Sequence, residues 1–139
     1  MLIRLLADLH LNSWPDKPDF LWRQVDVLHA ILKAKPKPDL VVVCGDVFHA
    51  RAALTAETIK AARAVLSSSP AHCYVLRGNH DMPLRQSAEE VDSLVALLDL
   101  YAVECVPKAH GYQTEGPYLA FVPYSEPLAM LSDLDAVMQ

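Results

Sequence analysis

Three short apolar runs divide the first half of the chain, and each stops abruptly at charged or amide residues. Leu2-Ile3-Arg4-Leu5-Leu6-Ala7 ends at Asp8, and Asp39-Leu40-Val41-Val42-Val43-Cys44 ends at Gly45-Asp46. The third, Ala71-His72-Cys73-Tyr74-Val75-Leu76, leads into Arg77-Gly78-Asn79-His80-Asp81. Runs of this length, rich in Val and Leu and closed by turn residues, read as buried strands. Between them the apolar spacing becomes helical. Leu21, Val25, Leu28 and Leu32 mark one face of a helix over 20–35, which Pro36 and Pro38 stop. Thr55 is placed to cap a second helix running to Leu66, with Ile59, Ala62 and Leu66 inward, and Val91, Leu94, Val95 and Leu98 mark a third over 87–98.

Strand and helix in alternation predict an α/β fold, a parallel-type sheet with flanking helices joined by right-handed crossovers. In such open sheets ligands bind beyond the carboxyl ends of the strands, which is where all three polar clusters fall. Residues 101–106, 111–114 and 118–122 read as further short strands around Pro107 and Glu115-Gly116-Pro117, and 127–138 as a last amphipathic segment. With no repeat, low-complexity tract or linker among 139 residues, a single domain over 1–139 is expected.

Composition narrows the setting. Hydrophobic residues make up 53% of the chain, as buried parallel strands require, yet no apolar run approaches the roughly 20 residues of a membrane span. Three cysteines without CxxC spacing fit a reducing compartment, so a cytoplasmic protein with no membrane association is expected. A net charge of −5 gives no overall basic footprint for nucleic acid, so a DNA substrate would need metal, a local patch or a partner for positive charge.

Asp8-Leu9-His10 sets a carboxylate and an imidazole two residues apart just past a strand, a chelating arrangement. Gly45-Asp46 repeats the placement one strand over, with the glycine allowing a tight turn and the carboxylate able to bridge two cations. Asn79 adds a carbonyl oxygen, and His80 a group whose charge changes near neutral pH. Singly, an Asp after a strand is a turn residue or helix cap, and Gly-Asn-His-Asp an ordinary loop. Together, three donor clusters on one sheet edge would be costly buried polar groups without a cation, and the set points to metal. His49 reads either as an accessory metal or phosphate contact or as a helix cap. Trp14 and Trp22 read as packing or as stacking platforms for a base, Arg51, Arg77 and Arg85 as solvated residues or phosphate contacts, and His29 and His72 carry no role.

Asp8-x-His10, Gly45-Asp46-x-x-His49 and Gly78-Asn79-His80-Asp81, in this order, resemble the first three motifs of the calcineurin-like metallophosphoesterase family, over residues 1 to about 85. Gly45-Asp46-Val47-Phe48-His49 and Tyr118-Leu119-Ala120-Phe121-Val122-Pro123-Tyr124 resemble its SbcD-type DNA repair nuclease branch, bacteriophage versions included. The resemblance implies the amino-terminal half of a four-layer α/β-β/α fold. It implies Asp8 and His10 on a first metal, Asp46 bridging, Asn79 on a second, and His80 protonating the leaving group or steadying phosphoryl oxygens. Asp81 would orient His80 by hydrogen bonding. The donor set suits two divalent ions, Mn²⁺ first, with Fe or Zn²⁺ also suited, about 3.5–4 Å apart around the phosphate. The implied activity is metal-dependent phosphodiester hydrolysis by an exonuclease or endonuclease in DNA repair or recombination, with DNA as substrate and an ATPase subunit of SbcC type as partner.

The sequence departs from that family in its second half. The family brings further histidines from a separate loop and from a Gly-His-x-His motif, and neither occurs here; the single later histidine, His110, precedes the Pro-Tyr strand and reads as a loop residue. Three protein donors for the first metal and two for the second predict a weak second site. The chain is accordingly expected to need a missing second half, self-association or a partner, with 127–138 packing on the missing part and apolar surface left open. Two other readings stand beside the nuclease: a phosphatase or small-molecule phosphodiesterase of the same fold, and a noncatalytic binding or assembly subunit with a relic metal site.

Overall fold

In the computed structural model the described residues are 1–49, 54–81, 98, 103–106, 110–112 and 119–121. The apolar runs form β1 (Ile3–Leu6), β2 (Leu40–Val43) and β3 (Cys73–Leu76), and β4 (Val103–Val106) adds beyond β3. All four pair in parallel in the order β1-β2-β3-β4. Consecutive parallel strands need crossovers, supplied by α1 (Phe20–Lys33) between β1 and β2 and α2 (Ala56–Ser67) between β2 and β3. The expected α/β class and parallel sheet are therefore what the chain forms.

All four residues of β2 are buried because both faces of the sheet are covered. Val41, Val43, Cys73, Val75 and Val103 face the helices, among Leu21, Val25, Leu28 and Leu32 of α1 and Ala61, Ala62, Val65 and Leu66 of α2. Leu40, Val42, Tyr74 and Val106 face the other way, onto Phe121. Phe121 belongs to an antiparallel pair, β5 (His110–Tyr112) with β6 (Leu119–Phe121), and its ring lies 4.7 Å from that of Tyr74. The described residues thus build three layers: helices, parallel sheet and a short second sheet. The third helix expected over 87–98 lies outside them except for Leu98, which is buried, and so do 122–124 and 127–138.

Local chemistry fixes the helix ends. Arg4, on β1, donates to the carbonyls of Leu32 at 2.6 Å, Ala34 at 2.7 Å and Pro36 at 2.9 Å, satisfying the end of α1 where its own ladder runs out. The helix ends two residues before the expected limit because Ala34 leaves helical geometry at ψ 142°, and Pro36 disfavours that geometry at Lys35. Thr55 caps α2 as expected, its hydroxyl accepting from the Thr58 amide at 3.1 Å. The inward face of α2 is shifted from expectation. Thr58, Ala61, Ala62, Val65 and Leu66 are buried, and Ile59 is only partly so, because small Ala61 and Ala62 let the helix approach the sheet on that side. Thr58 tolerates burial by hydrogen bonding its hydroxyl to Thr55 at 2.9 Å.

Among the described residues β1 has no neighbour on its outer side, and Leu5 there is 66% exposed. A groove of about 450 Å³ between β1 and α1 is lined by Leu6, Leu9, Phe20, Val27, Leu28 and Ile31, with Ala7, Asp8, Arg23 and Gln24. No helix among the described residues is long and apolar enough to cross a membrane.

Candidate metal centre

Past the carboxyl ends of β1 and β2 the two chains stay zipped together. The amides of Asp8, His10 and Leu11 donate to the carbonyls of Gly45, Asp46 and Val47 at 3.3, 2.9 and 2.8 Å, and His49 returns a bond to Leu11 at 3.2 Å. Keeping these bonds while turning the donor side chains over the sheet edge forces a left-handed backbone. Asp8, His10 and Asp46 have φ of 55°, 45° and 52°, and Gly45 has 96°. Such conformations cost L-residues free energy and persist where the surroundings over-determine them.

The loop after β3 is drawn onto the second loop by three polar ties. The His80 amide donates to Asp46 Oδ1 at 2.9 Å. Fully buried Asp81 accepts from the amides of Phe48 at 3.1 Å and Gly78 at 2.9 Å. The third tie joins His80 Nδ1 to the His49 carbonyl at 2.9 Å. A carbonyl can only accept, so Nδ1 donates, and the neutral ring keeps its lone pair on Nε2. Gly78 makes this approach sterically feasible. A Cβ there would overlap the amide nitrogen and Oδ1 of Asp46, and one on Gly45 would lie 2.7 Å from Gly78 Cα.

Burial pushes the Asp81 carboxyl above its ordinary range, against the backbone bonds from Gly78, Phe48 and Val47, and the charge of Asp46 raises it further. The expectation that Asp81 orients His80 is corrected here. Both its oxygens are committed to backbone amides, which lie within its reach, and the His49 carbonyl holds the His80 ring.

One ligand atom each from His10, Asp46 and His80 lie within 4.8 Å of one another. The His10 ring is 4.9 Å from that of His80 and 5.4 Å from that of His49, in edge-on contacts. Two imidazoles and a carboxylate are donors for a divalent transition cation, and the loops that gather them are anchored in the core by buried Leu11, Val47 and Phe48. Among the described residues His10 Nδ1 is buried without a partner, as is Oε1 of Gln24, whose Nε2 donates to the His10 carbonyl at 3.4 Å. The residues present fit a metal.

The grouping differs from that implied by the motifs. His80, assigned to proton transfer, stands within the donor cluster. Asp8 stands at its rim, its side chain 71% exposed and its Oδ1 3.7 Å from His10 Nε2. Asn79 sits in the same loop, half-buried. His49 is brought to the centre, and its alternative as a helix cap falls because Thr55 caps α2. Arg77 is buried rather than solvated, and Arg51 and Arg85 lie outside the described residues. His29 faces the Ala64 carbonyl and His72 faces Glu104, neither at the centre. Gly78 stood in the motif without a role of its own, though a glycine at a strand end like Gly45 is a signal for close approach. Gln24 escaped the sequence reading, since it comes from mid-helix and carries no signal.

Comparison with known proteins places these observations. The model of the calcineurin-like phosphoesterase family matches residues 1–134. No curated protein matches the chain. Among solved structures, the protein of unknown function AQ665 from Aquifex aeolicus is similar at 16% identity, over 99% of this chain and 70% of that one, with a TM-score of 0.46.

Proposed function

The chain belongs to the calcineurin-like phosphoesterase family, whose chemistry is metal-dependent phosphoester hydrolysis, and on that footing we propose that it is a phosphodiesterase acting on DNA. The observation that carries the reading is the convergence of His10, Asp46 and His80 from three strand ends onto one point. The Gly45-Asp46-Val47-Phe48-His49 phrase, which resembles the nuclease branch, supports the choice of a nucleic-acid diester.

His10 and Asp46 would hold the cation, with Asp8 and Asn79 at the margin. Divalent ions, Mn²⁺ in this reading, supply positive charge that polarises the phosphoryl group and eases deprotonation of water. Asp46 spends Oδ1 on the His80 amide and keeps its other oxygen for the cation. His80, fixed through Nδ1 on the His49 carbonyl, turns Nε2 toward the reacting group, where its protonated form gives a proton to the leaving oxygen. Further donors and the positive charge that DNA requires would come from a second half, a second copy or an ATPase partner of SbcC type. The net charge of −5 favours one second reading, a phosphatase or diesterase for small substrates.

The test is Mn²⁺-dependent hydrolysis of bis-p-nitrophenyl phosphate, p-nitrophenyl phosphate and single- and double-stranded DNA by the chain and by Asp46→Ala and His80→Ala. Cleavage of the diester and DNA, lost in both variants, is the expected result. Cleavage of the monoester alone would replace the nuclease with a phosphatase, and bound metal with no cleavage would point to the noncatalytic subunit.

A further inference from the structure

An aromatic row runs out of the metal centre. The His80 and His49 rings lie nearly parallel, 17° apart with centroids at 6.0 Å, and Trp14 continues the line 5.6 Å from His49. Trp14 ends the row 40% exposed. Its backbone is pinned, since its carbonyl accepts from the Lys17 amide at 3.0 Å, and the neighbouring Ser13 hydroxyl bonds Thr55 at 3.1 Å. A large indole held in the open beside a donor cluster, by a loop that itself is tied down, is a platform rather than a packing residue.

The chain supplies its own contrast. Trp22 is similarly exposed, at 39%, but its Nε1 donates to Glu57 at 3.1 Å across the α1–α2 surface, which accounts for it. The Trp14 indole N–H has no hydrogen-bonding partner among the described residues, and the aromatic ring beside it is that of His49.

We propose that Trp14 is a specificity-determining residue that stacks the base of a nucleoside phosphoester whose phosphate lies at His10, Asp46 and His80. The proposal rests on the phosphodiesterase reading and adds to it that the preferred substrates carry a planar aromatic base one sugar away from the scissile phosphate. Stacking of this kind tolerates any base, because each has a π face, so it selects nucleoside esters over alkyl esters without selecting sequence.

Two diesters with the same leaving group separate the terms: thymidine 5′-p-nitrophenyl phosphate and methyl p-nitrophenyl phosphate. The chain should prefer the thymidine ester in kcat/KM, and Trp14→Ala should lower that preference about tenfold, within the range of one base stacked on an aromatic side chain. Trp14→Phe should keep most of it, and Trp22→Phe all of it. A preference unchanged in Trp14→Ala overturns the proposal. In parallel, the indole emission of the Mn²⁺-loaded Trp22→Phe protein should be quenched saturably by thymidine monophosphate and not by methyl phosphate. If neither ester is hydrolysed, the phosphodiesterase reading fails and this quenching decides alone: its presence upholds the base platform, and its absence overturns it.

Discussion

Replacing Gly78 by alanine would put a methyl group where Asp46 already stands. The new Cβ would overlap the Asp46 amide nitrogen and Oδ1 and lie 2.9 Å from Cγ, and real Cβ atoms essentially never come within 3.0 Å. The obstacle is backbone and a short side chain, so no flexible tip can swing away, and the second and third loops must part. Overpacking of this kind costs about 1–3 kcal/mol. Parting also breaks the bond from the His80 amide to the Asp46 carboxylate, now 2.9 Å long, for about 1.5–3 kcal/mol more. A loss of about 2.5–6 kcal/mol is a large share of the ~5–15 kcal/mol that holds a domain together. Urea titration followed by circular dichroism should show the midpoint falling by roughly 2 M at a slope near 2 kcal/mol/M. Calorimetric Mn²⁺ affinity should fall at least about tenfold, because the clash displaces Asp46 from its place beside His10. Asp46→Ala removes Oδ1 and Cγ from the clash, so the penalty for Gly78→Ala should be smaller by ~1 kcal/mol or more in that background. A Gly78→Ala protein within about 0.5 kcal/mol of the parent would refute the close approach as the reason for the glycine.

Other parts of the structure make equally concrete demands. Arg4→Ala removes three bonds to the end of α1 and should cost about 1–2 kcal/mol in urea melts, partly exposed as they are, with Mn²⁺ affinity unchanged. Cys73, whose buried thiol is pushed up to about 12, should resist a thiol reagent at pH 8 until the chain unfolds, while exposed Cys44 reacts in the native state; equal native rates would contradict the burial. For Asp81 the folded pKa lies above the ordinary 3.8, so the native state holds its proton more tightly than the unfolded chain. Its contribution to stability is then fully present below 3.8 and is lost as pH rises through the folded value. In chelator-treated protein, Asp81→Asn should remove that decline from the stability–pH curve, and an identical slope in the two proteins would argue against it.

The strands and the place of the centre were legible because both depend on residues near one another in the chain. Val41-Val42-Val43 reads as a strand covered on both sides, and His10, Asp46 and His80 each fall within four residues of the end of an apolar run. Thr55 was legible as a cap for the same local reason. What the pattern concealed is set by contacts across the chain. Periodicity placed Ile59 inward, but the depth of each position in α2 depends on how closely Ala61 and Ala62 approach the sheet. The motif tied Asp81 to its neighbour His80, whereas the fold brings the Phe48 amide, 33 residues away, to its carboxylate. Gln24 reaches the His10 carbonyl from a helix whose sequence there shows only amphipathic spacing.

The left-handed backbone at Asp8, His10 and Asp46 has a consequence for how such a site persists through mutation. Glycine at any of the three would relax the local conformation, a gain of about 1 kcal/mol each where a side chain is held at positive φ. Drift under selection for folding alone would therefore erode the donors first, trading them for glycine while the Val-rich strands stayed intact. All three positions carry a carboxylate or imidazole side chain, so the chain keeps these donor groups at a standing cost in stability, and a collection of random variants sorted only for thermal resistance should enrich for their loss.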